Sequence, residues 1–580
     1  SEAHFISAVH ILKTRKEYGE ESMPEFENCA KANGDETIYD FLLETNFNPE
    51  SAVTLPSGFC LEEFETKYQF LHVPSLLPFS YYVSRLGYNA VPKLYGLMDT
   101  TSVEQIGGLA LQNQPVLPLR GQGVVFGIID TGIAYDLPIF QNEDGTTRLI
   151  GLWDQTLEDG YYTKEQINQA LMQKDPYKVI PSRDENGHGT FLAGIAAGKY
   201  DAKADFTGIA VDASLAVVKC RQAKEYLKEF YSVPEGVEAY SEIDIMRGVK
   251  YLTDLALSYR MPMVILIGLG TNQGGHDGRM PSSDYFSRIS DIQGFAIVQA
   301  AGNEGNARRH YYGRVSEERP DEAEIVVGEN VRGFTMELIG NALNTFYVGI
   351  TSPTGKHITP YLSPTQEARR YPFLAEGSVV TIYDRVAAFQ GGDFLVVLQF
   401  ETPAPGIWKV EVLAKGDFVT DYHIWMPITQ FVPSNTYFLG SNPFTTVTSN
   451  ACAVNTMAVG MYNHYQNALV AEASKGYTRT SVVKPDFLAP GVNVYGPLPD
   501  GSYGTRTGSS VAAAHAAGAA IQLFEFGIVR GNYTYLDGLD VKTLLIRGAD
   551  RKPGIDYPNR EYGYGTLNVF RSYQDLVGQR

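Results

Sequence analysis

Gly504-Thr-Arg-Thr-Gly-Ser-Ser-Val-Ala-Ala-Ala-His-Ala-Ala-Gly518 is the stretch around which the rest of the chain is organised. Glycines and a polar turn run straight into residues so small that a helix can press close to its neighbours. Ser510 falls on the first turn of that helix, where unpaired backbone N–H groups and the positive end of the helix dipole favour a developing negative charge. Attack on a carbonyl needs that arrangement. The plainer reading of the same residues is a serine N-cap on a buried alanine-rich helix, and this stretch alone does not separate the two.

Two other stretches supply what a serine lacks, because a hydroxyl is a poor nucleophile until a base takes its proton and a carboxylate orients that base. Gly123-Val-Val-Phe-Gly-Ile-Ile-Asp-Thr-Gly132 is a continuous apolar run, which reads as a buried parallel strand delivering Asp130 at its carboxyl end. In Asn186-Gly-His-Gly-Thr-Phe-Leu-Ala-Gly-Ile-Ala-Ala-Gly198, His188 opens a second small-residue helix. Strands and helices alternate from Gly121 to about Ala323, as a doubly wound α/β sheet requires.

These motifs, in the order Asp, His, Ser, resemble those of the subtilisin-like serine peptidases, the subtilases or family S8. The resemblance implies Asp130, His188 and Ser510 as the catalytic residues, with Ser510 chosen over neighbouring Ser509 because the family's nucleophile is third in Gly508-Ser-Ser. Gln299-Ala-Ala-Gly-Asn-Glu-Gly305 is similar to the family's oxyanion segment and implies Asn303 as an oxyanion donor. Val264-Ile-Leu-Ile-Gly-Leu-Gly-Thr271 is similar to the strand that pairs with an extended substrate, which implies Gly268, Leu269 and Gly270 as substrate-binding. Lys484-Pro-Asp-Phe-Leu-Ala-Pro-Gly491 resembles the turn shortly before the nucleophile. Together these likenesses cover roughly residues 100–325 and 445–580.

At 580 residues the chain is too long for one ordinary domain, and two or three are expected. With 44% hydrophobic residues and no apolar run long enough to span a bilayer, it reads as soluble, without a membrane span. A formal charge of -19 argues against a nucleic-acid partner. Cys29, Cys60, Cys220 and Cys452 are too few and too scattered for a disulfide framework and have no metal-ligand spacing, so free thiols are expected and no metal or other cofactor is called for.

The chain begins at Ser1 without an initiator methionine, so the numbering starts after processing or at an arbitrary boundary, and no apolar segment follows a basic start as a signal peptide would require. Residues 1–97 mix helical and strand patterns, including an expected helix Glu62-Glu-Phe-Glu-Thr-Lys-Tyr68 and the apolar run Phe79-Ser-Tyr-Tyr-Val83. The family likeness implies a propeptide there, with its junction near Leu94-Tyr-Gly-Leu-Met-Asp-Thr-Thr-Ser102; the alternative is a permanent amino-terminal domain. Residues 98–325 and 445–580 are the two parts of the catalytic domain. Between Asp130 and His188, Arg148–Asp154 and Thr163–Ala170 read as a surface insertion. Gly274–Gly278 follows the substrate strand and is placed to wall a pocket, with His276 and Asp277 as loop-forming residues. Within residues 326–444, runs such as Phe334-Thr-Met-Glu-Leu-Ile and Asp393-Phe-Leu-Val-Val-Leu-Gln-Phe are short strands punctuated by Gly, Pro and Asn, which predicts an inserted β-sandwich or jelly roll.

This layout, with Ser510-Val-Ala-Ala-Ala-His and Gly270–Gly278, resembles the clostridial spore-germination (Csp) subtilases. That likeness implies a retained propeptide in the cleft, a protein substrate such as a zymogen, a germination role and a spore-associated or cytoplasmic place. Ala514 stands where the wider family commonly has proline and Phe191 where it has a second histidine, neither of which takes part in proton transfer. Three classes of function follow. The first is a self-processing serine endopeptidase, favoured by the intact set Asp130, His188, Ser510 and Asn303. The second is a catalytically silent pseudoprotease that senses or binds. The third is a scaffold whose jelly roll uses aromatics such as Trp408 and Trp425.

Overall fold

The computed structural model describes residues 35–64, 66–97, 104–115, 117–361, 368–388 and 392–578, together with Cys29 and Ala32. Its centre is a nine-stranded sheet in which Val125–Asp130 lies between Met263–Ile267 and Ser214–Lys219, all parallel. Phe295–Ala300 and Met457–Asn463 extend it on one side and Leu149–Asp154 on the other. Alternation along these strands feeds two cores. Phe126, Ile128, Leu266 and Val298 face the helices His188–Ala197 and Ser509–Phe524, whereas Val125, Ile129, Ile265 and Ile297 face Glu242–Tyr259 and Pro281–Ser290.

Both helices of the first face are buried along their whole length, which their small residues permit. A Cβ added to Gly518 would come within 2.6 Å of Ile209 Cβ. Ser509–Val529 is the one helical stretch among the described residues long and apolar enough to cross a membrane, and it is a core helix enclosed by the protein.

Leu149–Asp154 differs from the sequence expectation. It is no surface insertion but a strand of the central sheet, paired with Ser214–Lys219, with Leu149 and Leu152 wholly buried. Only the neighbouring helix Lys164–Leu171, capped by Thr163 and Gln166, lies outside it.

Between Asn303 and Ser510 two antiparallel sheets of six and five strands share one core that includes Phe334, Met336, Phe346, Val396, Trp408 and Tyr422. The sandwich takes in His310–Val315 and Asp321–Val327, ahead of the 326 boundary read from the sequence. A strand's own alternation does not say which sheet it will join. Trp408 and Trp425 are both buried, so neither offers an exposed binding platform.

The amino-terminal unit is a three-stranded antiparallel sheet, Ile38–Glu44, Tyr68–Pro74 and Cys60–Phe64, with the helix Phe79–Leu86. The expected helix at Glu62–Tyr68 is therefore replaced by the end of one strand, a turn and the start of the next. Helix propensity yields here to burial of Phe64, Tyr68 and Phe70. Cys29 and Cys60 form a disulfide with Cα atoms 5.6 Å apart, which corrects the expectation of four free thiols; Cys220 and Cys452 are free and buried. The next strand, Leu94–Leu97, leaves this unit and enters the catalytic domain, pairing antiparallel with Leu269–Gly270 on one side and Tyr240–Ser241 on the other. Residues 98–102 of the expected junction lie outside the described residues.

The amino-terminal sheet is docked by buried charge. Lys224 Nζ donates to Ala32 O (3.1 Å), Ile38 O (3.0 Å) and Asp40 Oδ2 (2.8 Å), while Asp40 Oδ1 faces His72 Nδ1 at 2.6 Å and Arg247 pairs with Glu62. Burial alone would raise Asp40, but Lys224 and His72 hold it well below the usual carboxylate range. Burial likewise opposes the charge on His72, yet Asp40 and Glu62 push its pKa above the ordinary value. Its charged form therefore adds stability below about pH 6.5 that is lost as pH rises through the raised value. Lys224→Met leaves Asp40 buried without its ammonium, a change that costs about 3–5 kcal/mol. Hydrogen exchange over Ile38–Glu44 is expected to accelerate in this variant while the central sheet keeps its protection; unchanged exchange would refute the docking role.

Candidate active site

Asp130 is the last residue of its strand and opens toward the start of the helix His188–Ala197. His188 Nδ1 lies 2.7 Å from Asp130 Oδ1, which also accepts the Thr131 N–H at 2.8 Å. On the other side of the ring, His188 Nε2 lies 3.0 Å from Ser510 Oγ. The close fit of the two small-residue helices therefore brings together a carboxylate, an imidazole and a hydroxyl from three distant parts of the sequence, in the order that proton transfer requires.

Ser509 points elsewhere. Its hydroxyl accepts the Gly302 N–H at 3.0 Å, and its backbone N–H donates to Asn303 Oδ1 at 3.0 Å. Asn303 is thus held against the start of the serine helix, where backbone donors of the first turn have no intrahelical acceptor. Glycine is required at 268, since a Cβ there would approach Asp130 Oδ2 to 2.8 Å and His188 Cε1 to 3.3 Å. Leu269 and Gly270 pair with Leu97 and Gly96. The structure thus brings Asp130, His188, Ser510, Asn303 and Gly268–Gly270 into one cleft, and the chain's own strand Leu94–Leu97 lies in it. Asp130 and Ser510 are 0% and His188 1% exposed, so the site is closed to solvent in this state.

His276 and Asp277 form the adjoining loop. The His276 ring stacks on Trp425 at 4.2 Å, with its nitrogens 2.7 Å from Val447 O and 2.9 Å from Asn272 O, and Asp277 pairs with Arg479.

Sequence reasoning missed Asp184. Its Oδ1 accepts from the Thr131 hydroxyl (2.7 Å) and Gly187 N–H (2.8 Å), and its Oδ2 from the Thr190 N–H (2.8 Å) and Thr190 hydroxyl (2.6 Å). The Thr131 hydroxyl in turn accepts the Gly189 N–H at 2.9 Å. One buried carboxylate thereby ties the loop after Asp130 to the first turn bearing His188. The available signal was an aspartate just ahead of an apolar helical run, the pattern of a helix start. Glu304 was also missed. Burial raises its pKa, and it accepts from Thr429 N–H (3.1 Å) and Thr429 Oγ1 (2.8 Å), anchoring the loop after Asn303 to the segment that follows the sandwich strand Thr420–Trp425.

Asp184→Ala is expected to keep the fold but loosen the first turn at His188. Displacing a reacting group by about 1 Å costs on the order of 10²-fold, so labelling of Ser510 by a fluorophosphonate should slow by about that factor. Labelling at the wild-type rate would show that the carboxylate positions nothing.

The profile described as the Subtilase family matches residues 121–380 and 412–565. Among solved structures, the chain is similar to the Clostridium perfringens CspB protease, with 30% identity and a TM-score of 0.73, over 81% of this chain and 96% of that one. Among curated proteins it is 24% identical over 259 residues to the subtilisin-like protease SBT3.8 of Arabidopsis thaliana, a match that takes in 38% of this chain and 30% of the plant protein.

Proposed function

The chain belongs to the subtilase family of serine peptidases, and on that premise we propose that it is a serine endopeptidase that first cuts its own amino-terminal segment and then acts on a protein substrate. The observation that carries the reading is the unbroken series Asp130 Oδ1, His188 Nδ1, His188 Nε2 and Ser510 Oγ, spaced at 2.7 and 3.0 Å. In this mechanism His188 Nε2 takes the Ser510 proton as Oγ attacks the carbonyl carbon, and later returns it to the leaving amine. Asp130 fixes the tautomer with Nδ1 protonated and stabilises the imidazolium. The Asn303 amide and the backbone N–H at the start of the serine helix receive the negative charge that builds on the oxygen. Water then attacks the acyl-enzyme with His188 again as base.

Substrate binds by adding a strand between Leu269–Gly270 and Tyr240–Ser241, the place now taken by Leu94–Leu97. Gly268, next to Leu269 in the pair Leu97–Leu269, abuts Asp130 and His188. Residues 1–97 therefore act as a prodomain that stays docked after cleavage, and its tether keeps the local concentration of the inhibitory tail high, on the order of millimolar. The likeness to the CspB protease, with the Csp layout, extends the reading to activation of a zymogen in spore germination. A pseudoprotease reading is disfavoured because each position of the series holds a competent group at reacting distance.

Wild-type protein is expected to run on a denaturing gel as two fragments that co-purify, with a new amino terminus within residues 98–103, while Ser510→Ala runs as one full-length band. A serine-reactive fluorophosphonate should add mass at Ser510 and not at Ser509. Labelling that survives Ser510→Ala would overturn the assignment of the nucleophile, and an uncut wild type that still reacts would make the amino-terminal unit a permanent domain.

A further inference from the structure

Lys93 enters the cleft one residue ahead of the strand Leu94–Leu97. Its backbone N–H donates to Glu242 Oε2 at 3.2 Å and its carbonyl accepts the Glu242 N–H at 2.9 Å. The next residue is held from the opposite wall, Leu94 N–H donating to Gln273 Oε1 at 2.9 Å. Although cationic, Lys93 is only 6% exposed. Its Nζ lies 3.7 Å from the centre of the Tyr88 ring and 3.4 Å from the Tyr88 carbonyl. Beside it is a cavity of about 50 Å³ walled by three parts of the chain: Tyr88 of the amino-terminal unit, Glu242 and the loop Gly274–Met280 of the catalytic domain, and Glu337 and Asp393 of the sandwich.

Four carboxylates line this cavity, and they divide into two pairs. Asp277 and Asp393 share the single guanidinium of Arg479, which balances one of their two charges. Glu242 and Glu337, 1% and 2% exposed, accept from neutral groups, namely Ser282 N–H for the former and Gly274 N–H and the Tyr88 hydroxyl for the latter. Lys93 lines the same cavity, with its ammonium on Tyr88, and its charge and theirs attract across it. Burial pushes the Lys93 ammonium down and the Glu242 carboxyl up, each toward its neutral form, and their mutual attraction opposes both changes. Arg279 stands exposed at the rim of the cavity.

We propose that this cavity is an acidic subsite of the substrate cleft, built by Glu242 and Glu337, which selects protein segments carrying a cationic side chain four positions ahead of the residue opposite Leu269. The proposal rests on the peptidase reading of the cleft, and Lys93 occupies the subsite as a substrate side chain does. When the amino-terminal segment gives way, Tyr88 and Lys93 leave together, while Glu242 and Glu337 stay behind, and a substrate strand that takes their place covers the two carboxylates again. A substrate without a cation there leaves buried carboxylates uncompensated, which is far costlier than a missing apolar contact. Glu337 belongs to the sandwich strand Gly333–Asn341, so the inserted domain is itself a wall of the cleft and helps choose the substrate.

The test uses quenched-fluorescent peptides with the sequence of residues 90–103, carrying lysine, arginine or glutamine at the place of Lys93, and full-length protein. The tethered segment competes equally with each peptide, so ratios of kcat/KM are unaffected by it. The glutamine peptide is expected to be cut at least about tenfold less efficiently than the lysine peptide and the arginine peptide within about threefold of it. In a Glu242→Gln/Glu337→Gln variant the preference should shrink to about twofold. Equal cleavage of the lysine and glutamine peptides by wild type overturns the subsite. A second measurement does not depend on catalysis: in the Ser510→Ala chain, Lys93→Gln should speed hydrogen exchange over Leu94–Leu97 at least about tenfold, and Lys93→Arg should not. Equal protection in the two variants overturns the subsite whatever the activity. A protein that cuts none of the peptides and does not react with the fluorophosphonate refutes the peptidase reading, and the exchange measurement still decides the subsite.

Discussion

The constraint on which this molecule depends is steric. Two helices, His188–Ala197 and Ser509–Phe524, are packed on the same face of a parallel sheet so closely that little beyond glycine, alanine and serine fits between them. That approach places His188 Nε2 3.0 Å from Ser510 Oγ although the residues are 322 positions apart. The helices contribute positions, the strand ending at Asp130 contributes the carboxylate, and Asp184 locks the turn between them through four hydrogen bonds. A hydrogen-bonded series in a dry site tolerates little slack, because a misplaced polar group is both unreactive and costly.

The second consequence is that both strand edges beside the site are paired in this structure. Leu94–Leu97 satisfies the backbone groups of both Leu269–Gly270 and Tyr240–Ser241, groups that would otherwise form exposed strand edges. The amino-terminal sheet that precedes this strand is fastened by a buried ion pair, Lys224 with Asp40, by the partly exposed pair Arg247 with Glu62, and the helix beside it by aromatic contacts such as Phe79 with Phe230. Among the described residues, the amino-terminal sheet and the domain of the central sheet are therefore joined both by the shared strand Leu94–Leu97 and by these side-chain contacts.

What could be read from the sequence was whatever is encoded locally. Asp130 sits at the end of an apolar run, and His188 and Ser510 each open a run of small residues, so the strand and the two helix starts were legible locally, while the roles of the three residues rested on the likeness of their motifs to the subtilases. Interactions between distant segments were not. Glu62–Tyr68 has helix-forming residues yet turns between two strands, because Phe64 and Tyr68 are needed in a core built with Tyr285 and Phe70. Arg148–Asp154 has the composition of many surface strands, and only pairing with Ser214–Lys219 makes it internal. The pairing of Cys29 with Cys60 depended on a sheet that spacing does not reveal. Asp184 and Glu304 were silent for the same reason, since a carboxylate that binds backbone N–H groups looks in a sequence like any acidic residue.

An insertion of this size between Asn303 and Ser510 should endanger the contact that holds Asn303 against the start of the serine helix. The sandwich avoids this by being tied to the cleft at several points. Glu304, directly after Asn303, binds Thr429 in the segment that follows the sandwich strand Thr420–Trp425. Trp425, on the sandwich strand Thr420–Trp425, stacks on His276 of the cleft loop, and Arg479 joins Asp277 of that loop to Asp393 of the sandwich. The His276–Trp425 stack and the Arg479 pairs are largely buried, so their geometry is set by packing rather than by solvent-exposed flexibility. The inserted domain thus restores across space the rigidity that its length removes along the chain. Through Glu337, whose Oε2 accepts the Gly274 N–H at 2.6 Å, the same ties bring a sandwich carboxylate into the wall of the cleft, where a domain added to the fold can act on the fold's own chemistry.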